Sequence, residues 1–303
     1  MEGDPVIRRQ TMRDLLDVPE NEWRAERERT AVCGWGAAFL AAMTPDGSWP
    51  DGRWTGTVWT LLSVIDCGLP ADHPKLRQAA LGFLNSNLTA RRLASSHELL
   101  GGTDLCHLGF WLRIGAYFLG NDPRLKFLAE TILSTQLSDG GFNCRIRTES
   151  KVIHSSFHTT FNVLEGLREA ADAGIVAPDV FRQTERRALE FMLAHKLYRS
   201  DKTGEVVSER FLHPTYPSHW HYTVLRGLDY IRNCPEIADE RLADPISAMV
   251  ARRTPNGRWP VEKRIPGLTH FDMERFGGES RWNTLRMMRV LRQREMADKA
   301  QID

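Results

Sequence analysis

Gly101-Gly102-Thr103-Asp104-Leu105-Cys106-His107-Leu108-Gly109-Phe110-Trp111-Leu112-Arg113-Ile114-Gly115-Ala116-Tyr117-Phe118 reads as a turn followed by a helix. Only His107 and Arg113 break its apolar surface, and a helix apolar on nearly every side is a buried one. Its head, Asp104-Leu105-Cys106, sets a carboxylate and a thiol at a helix start. His158 heads a later segment of the same kind. Three such ligands suit Zn²⁺ and leave one coordination position open.

The same unit recurs outward from this stretch. Asp46-Gly47-Ser48-Trp49-Pro50 precedes an apolar segment over 57–65. Asp139-Gly140-Gly141-Phe142 precedes 158–167, the Pro214 to Pro217 turn precedes 219–228, and Asn256-Gly257-Arg258-Trp259-Pro260 precedes 282–291. Asp-Gly and Asn-Gly supply positive φ without steric cost, so these pieces are turns. The period is roughly 50–60 residues, slightly above the usual helical-repeat range. Amphipathic, charged segments lie between, over 22–43, 75–84, 123–136, 179–197 and 241–253. A buried helix alternating with a half-exposed one predicts an all-α chain of five or six helical hairpins. Nothing reads as a linker, so 1–303 reads as a single domain, with 1–20 an N-terminal extension and 294–303 a tail.

Bulk properties narrow the function classes. Lys+Arg total 40 against Asp+Glu 39, a net charge of +1 that exerts no pull toward nucleic acid or an anionic membrane. The first residues, Met1-Glu2-Gly3-Asp4-Pro5, lack the basic and apolar regions of a secretory signal, and no apolar run reaches transmembrane length. Five scattered cysteines, Cys33, Cys67, Cys106, Cys144 and Cys234, do not form a disulfide framework; reduced thiols in a cytoplasm are expected. No dinucleotide fingerprint, Walker loop or Gly-x-Ser-x-Gly is present.

These units resemble the repeats of the squalene cyclase and prenyltransferase superfamily over roughly 30–293. The resemblance implies an α/α toroid with a central cavity at the inner-helix N-termini. The acid motif of the cyclase branch, Asp-x-Asp-Asp, is missing; the nearest cluster is Asp272-Met273-Glu274. Asp104-x-Cys106 followed by Phe110-Trp111 is similar to the zinc motif of the protein prenyltransferase β-subunits, and so is Phe157-His158-Thr159 running on to Leu164-x-Gly166-Leu167. The resemblance implies Zn²⁺ on Asp104, Cys106 and His158, and a separate helical partner subunit. In that branch cations before the Asp-x-Cys cradle a diphosphate; here Ser95 to Gly102 holds Glu98 instead.

Each ligand also has a plainer reading. Asp104 suits an N-cap, Cys106 a small buried hydrophobe, and His158 a core histidine. A helix start favours the thiolate that binds metal. Among other groups, His213 to Tyr222 is rich in imidazoles, and His219 falls where His158 falls in its own repeat. His219 or His221 is the candidate general acid–base. Arg145 is a candidate anion anchor. Trp220, Tyr222, Glu274, Arg281 and Trp282 are candidate substrate-binding residues. Trp49, Trp54 and Trp259 read as packing turns onto helices, and Cys144 reads as packed, with a fourth ligand as the alternative.

The expectation is a zinc-dependent transferase moving an alkyl or prenyl group to a zinc-activated thiol, acting on a small-molecule substrate. Two other readings stay open: a zinc-water hydrolase or lyase, and a non-catalytic toroid that binds a ligand or partner.

Overall fold

The computed structural model describes residues 3–120, 122–149, 151–262 and 265–300. In chain order the helices begin with α1 (Pro5–Leu15), α2 (Glu20–Arg29), α3 (Gly34–Ala41), α4 (Thr57–Cys67) and α5 (Pro74–Asn87). There follow α6 (Ser96–Gly101), α7 (Leu105–Leu119), α8 (Pro123–Leu133), α9 (Phe157–Asp172) and α10 (Pro178–Ala194). The last are α11 (Val224–Ile231), α12 (Ala243–Val250) and α13 (Arg281–Ala300), with a small antiparallel ribbon of β1 (Trp259–Pro260) and β2 (Glu279–Ser280) before α13. The protein is therefore all-α. Among the described residues no helix is long and apolar enough to cross a membrane.

The chain divides into two compact units: Met1–Ala41 with Cys67–Leu69 and Leu193–Asp303, and Ala42–Asp66 with Pro70–Met192. Within both, the turn-then-helix motif has a physical basis. Gly47, Gly140 and Gly257 all have positive φ, in turns closed by Gly47 N–H to Thr44 O, Gly140 N–H to Leu137 O and Gly257 N–H to Thr254 O. The aromatic after each turn is buried: Trp49, Phe142 and Trp259. Its backbone N–H then donates to a threonine hydroxyl in the first turns of the next α-helix. The pairs are Trp49 to Thr57 at 3.3 Å, Phe142 to Thr160 at 3.0 Å and Trp259 to Thr284 at 3.0 Å. Trp54 is buried too, so the three turn tryptophans pack as expected.

In the second unit α7 and α9 form the spine. Gly109 and Gly166 let their backbones touch: a Cβ on Gly109 would lie 2.6 Å from Asn162 O, and one on Gly166 2.3 Å from Gly109 O. The helices run the same way, because Arg113, further along α7, meets Glu165 at 3.1 Å. Arg113 also meets Asp66 at 2.7 Å, so this one guanidinium ties the end of α4 to the middles of α7 and α9. Phe110, Trp111, Leu112, Ile114 and Phe118 of α7 are buried, each contributing roughly 1.5–3 kcal/mol. α7 ends at Gly120, and α8 starts behind an Asp122 cap that accepts from Arg124 N–H at 3.0 Å.

In the first unit α1 belongs to the core, with Val6 and Ile7 buried. Asp4 accepts from Val6 N–H at 2.9 Å and from Trp35 N–H at 2.7 Å, so one carboxylate starts both α1 and α3. This explains why the helix expected over 22–43 is two helices, α2 and α3, broken at Thr30–Cys33. Asp229 on α11 accepts from Arg286 at 3.0 Å and from Arg289, and Arg289 also reaches Gln10 at 2.8 Å and Asp14 at 3.1 Å of α1. Residues 5–15, expected as an extension, are thus fixed to α13. Of the expected tail, 294–300 continues α13, and 301–303 lie outside the described residues.

Candidate functional site

Asp104 stands in extended conformation immediately before α7, the N-cap position, yet its side chain makes no cap hydrogen bond. Its Oδ1 accepts instead from Arg147 Nε at 3.0 Å. Arg147 ends a short 3-10 turn, Cys144–Arg147, whose own cap is Asn143, accepting from Arg145 N–H at 3.0 Å. Asn143 Nδ2 donates to His154 O at 2.7 Å, and Ser155 N–H donates to Asp139 at 2.7 Å. The loop between the third turn and α9 is therefore held at both its ends.

That loop brings Cys144 to Cys106. Cys144 Sγ accepts from Cys106 N–H at 3.3 Å and from Thr159 Oγ1 at 3.3 Å, while Cys144 N–H donates to the same hydroxyl at 3.3 Å. The two thiols also hydrogen-bond to each other. That bond from Cys106, set against burial and aided by Thr159, lowers the Cys144 thiol. Cys106, as donor, is pushed up by the same bond, by burial and by the charge of Asp104. His158 is the second residue of α9, half-buried, directly before Thr159; Ser156 caps this helix by accepting from Thr159 N–H at 3.4 Å. Among the described residues, no three His, Cys, Asp or Glu side chains lie close enough together to hold a metal ion as they stand.

Two features beside the cysteines escape a reading of the sequence. His107, Phe110, Trp59 and Trp54 form an aromatic chain: His107 to Trp59 at 6.0 Å, Trp59 to Phe110 at 5.3 Å, Trp54 to Trp59 at 5.2 Å. Burial lowers the His107 imidazole against the pull of Asp104, so it is neutral at neutral pH. The second feature is a pocket of about 330 Å³ lined by Arg91, Arg92, His97, Glu98, Gly101 and Gly102. Arg92 is fixed there, donating to Thr103 Oγ1 at 2.9 Å and lying 5.3 Å over the Trp111 ring. Arg91 meets Glu98 at 3.4 Å. From the sequence Cys144 reads as packed, with a fourth ligand as the alternative, and its approach to Cys106 is not foreseen. The Gly-Gly turn before it was the one signal that could have aimed it at α7.

In the first unit the helix expected from His219 begins instead at Val224, as α11. Thr223 caps it, accepting from Arg226 N–H at 3.2 Å, and Arg226 donates back to His219 O at 3.2 Å and His221 O at 3.0 Å. Residues 219–223 are therefore a loop, with His219 at a φ of 48°. Burial, then the neighbouring His221 and Arg226, push the His219 imidazole down to about 3, so it stays neutral through the physiological range. Trp220 stacks on His221 at 3.8 Å. Tyr222 is buried and donates to Leu197 O at 2.8 Å, a packing role.

Glu274 serves as the cap of α13, accepting from Arg281 N–H at 2.6 Å, Trp282 N–H at 3.1 Å and the Ser280 hydroxyl. Burial nevertheless raises its carboxyl. Arg281 is exposed, and Trp282 is buried, stacked on Tyr216 at 4.1 Å. Arg145, in the second unit, is exposed and 3.7 Å from Glu149. No protein-family model, curated protein or solved structure matches this chain.

Proposed function

We propose that the protein is a zinc-dependent enzyme transferring an alkyl or prenyl group to a thiol, with its reactive centre at the heads of α7 and α9. The observation that carries this reading is the meeting of Cys106 with Cys144, beside Asp104 and held by Thr159, the residue after His158 in the first turn of α9. Thiolate and imidazole donors suit Zn²⁺ in type. As the side chains stand they do not form a three-donor group, and no step is derived through the metal. When bound, zinc keeps a coordinated thiol ionised near neutral pH.

The chain's own residues supply the rest of the reading. The aromatic chain of Trp54, Trp59, His107 and Phe110 gives an apolar wall next to Cys106 for an alkyl or prenyl chain. Arg91, Arg92 and His97 line a pocket ahead of Thr103 and Asp104, suited to an anionic leaving group. The closed α/α toroid belongs to the same proposal, supported by the recurrence of turn, aromatic and threonine, and so does a reducing, cytoplasmic setting. Held down to about 3 by burial and by the neighbouring His221 and Arg226, the His219 imidazole is too weak a base to favour a zinc-water hydrolase or lyase.

The test is metal analysis of the full chain purified without chelator. Near-stoichiometric zinc, lost in Cys106→Ala, is the expected result. Zinc retained in full by Cys106→Ala, or none in the wild-type protein, would overturn the assignment.

A further inference from the structure

The second unit holds two of the five cysteines, Cys106 and Cys144, and the fold brings them together from 38 residues apart. Cys106 lies in the first turn of α7, and Cys144 starts the short turn that ends at Arg147. Cys144 Sγ accepts from Cys106 N–H at 3.3 Å, and the two thiols hydrogen-bond to each other. At the other end of the short turn Arg147 meets Asp104 at 3.0 Å, a second clasp between the same two elements. A third element steadies the pair, because Cys144 Sγ also accepts from the Thr159 hydroxyl of α9 at 3.3 Å. Asn143 fixes the turn from behind, through Arg145 N–H and His154 O.

Among the described residues the other three cysteines are placed differently. Cys67 and Cys234 are buried, Cys33 donates to Arg29 O at 3.5 Å, and all three belong to the first unit. Cys106 and Cys144 are each only half-buried, within reach of a small oxidant from solvent. A disulfide sets its sulfurs about 2 Å apart. Sulfurs already in hydrogen-bond contact, on elements clasped at a second point, come to that distance by a small side-chain rotation.

We propose that Cys106 and Cys144 form a redox-active dithiol, which a hydroperoxide converts reversibly to an intramolecular disulfide. One sulfur, as thiolate, attacks the terminal peroxide oxygen; the O–O bond breaks, an alcohol (water, from hydrogen peroxide) leaves with the proton of that thiol, and a sulfenic acid forms. The second sulfur then displaces hydroxide from the sulfenic acid, its own proton leaves with that hydroxide as water, and the S–S bond is made. Two electrons pass from the two thiols to one peroxide. An external dithiol reverses the step by thiol–disulfide exchange. The chemistry uses only the two sulfurs and does not depend on zinc. Its consequence rests on the reading above: an oxidised Cys106 neither ligates a metal nor acts as a nucleophile, so the disulfide is an off state of that centre. In a reducing compartment such a bond is transient, as sensing disulfides are.

Hydrogen peroxide added to the full chain, freshly reduced and desalted with a chelator, tests this without any assay of activity. The products are unfolded, alkylated with a maleimide and mapped by mass spectrometry. Alkylatable thiols should fall from five to three, with one peptide pair joining Cys106 to Cys144, and dithiothreitol should restore all five. Neither Cys106→Ser nor Cys144→Ser should form that bond, and the variant that keeps the attacking sulfur should yield a sulfenic acid trapped by dimedone. Circular dichroism checks that both variants fold, and in wild-type chain unfolded in urea the pairing preference should vanish. Five free thiols after an exposure that oxidises glutathione would overturn the proposal. So would pairing with any other cysteine, sulfinic acid at one of the two with the other still alkylatable, or the same preference in urea. Those outcomes leave the zinc reading to its own metal analysis, which in turn does not decide the disulfide.

Discussion

Glu169 is the residue whose surroundings make the clearest demand. It lies near Arg113, but also near Asp66, Glu165 and Asp172. Burial first, and then those three carboxylates against the pull of Arg113, push it up to about 7 from 4.5. The folded chain thus holds the proton that the unfolded chain releases. Stability falls as pH rises from 4.5 through 7, and the loss is complete above that. Glu169→Gln should therefore stabilise the protein at pH 8.5 by at most about 3 kcal/mol, with little effect near pH 4.5. Denaturant melts at the two pH values would show it, and equal effects at both would contradict the cause assigned. Cys106 and Asp104 could be picked from the sequence because a helix start concentrates donors. Cys144 could be named only as a packed residue or a fourth ligand, and the Asp104–Arg147 pair not at all, since both approaches depend on a loop folded by Asn143 and Asp139 rather than on any periodicity.

Among the elements, α7 and α9 were legible because their apolar faces follow a 3.6-residue period and stand behind Gly-rich turns. Their close contact was not, although Gly109 and Gly166 were visible as residues. A glycine within a helix has many explanations, and only the neighbour decides. Gly166→Ala would drive a Cβ to 2.3 Å from the Gly109 carbonyl. Both atoms belong to backbones that cannot step aside singly, so a loss of about 3 kcal/mol in denaturant unfolding is expected. A loss below about 1 kcal/mol would mean that the helices slide freely. The start of α11 was missed for a related reason. The imidazole-rich run before it looks like a helix head, but Thr223 is a better cap than His219 and Arg226 holds the intervening carbonyls.

At the scale of the whole molecule, the first unit is closed by charges from opposite ends of the sequence. Burial alone would raise the Asp229 carboxyl, but Arg289, Arg286 and Arg232 hold it well below the usual carboxylate range. Its contribution is present above its unfolded pKa and is lost as the pH falls. Asp229→Asn should cost about 3–5 kcal/mol at pH 7, because three guanidinium groups would lose their shared acceptor. The deficit should shrink in strong acid; a deficit independent of pH would point to packing instead. No local pattern foretells such a network, since Asp14, Asp229 and Arg289 are joined only after the chain has folded.

The bond from each buried aromatic to its threonine spans 8 residues in the first turn, 18 in the third and 25 in the last. The same anchor is kept while the segment between grows about three-fold, at a closure cost of only about 1 kcal/mol. The two long versions carry Cys144 and Glu274; the short one carries neither. Duplicated units of this kind can acquire new side chains by lengthening one segment while the scaffold stays constant. The eight-residue version between Trp49 and Thr57 is then the natural place to graft another.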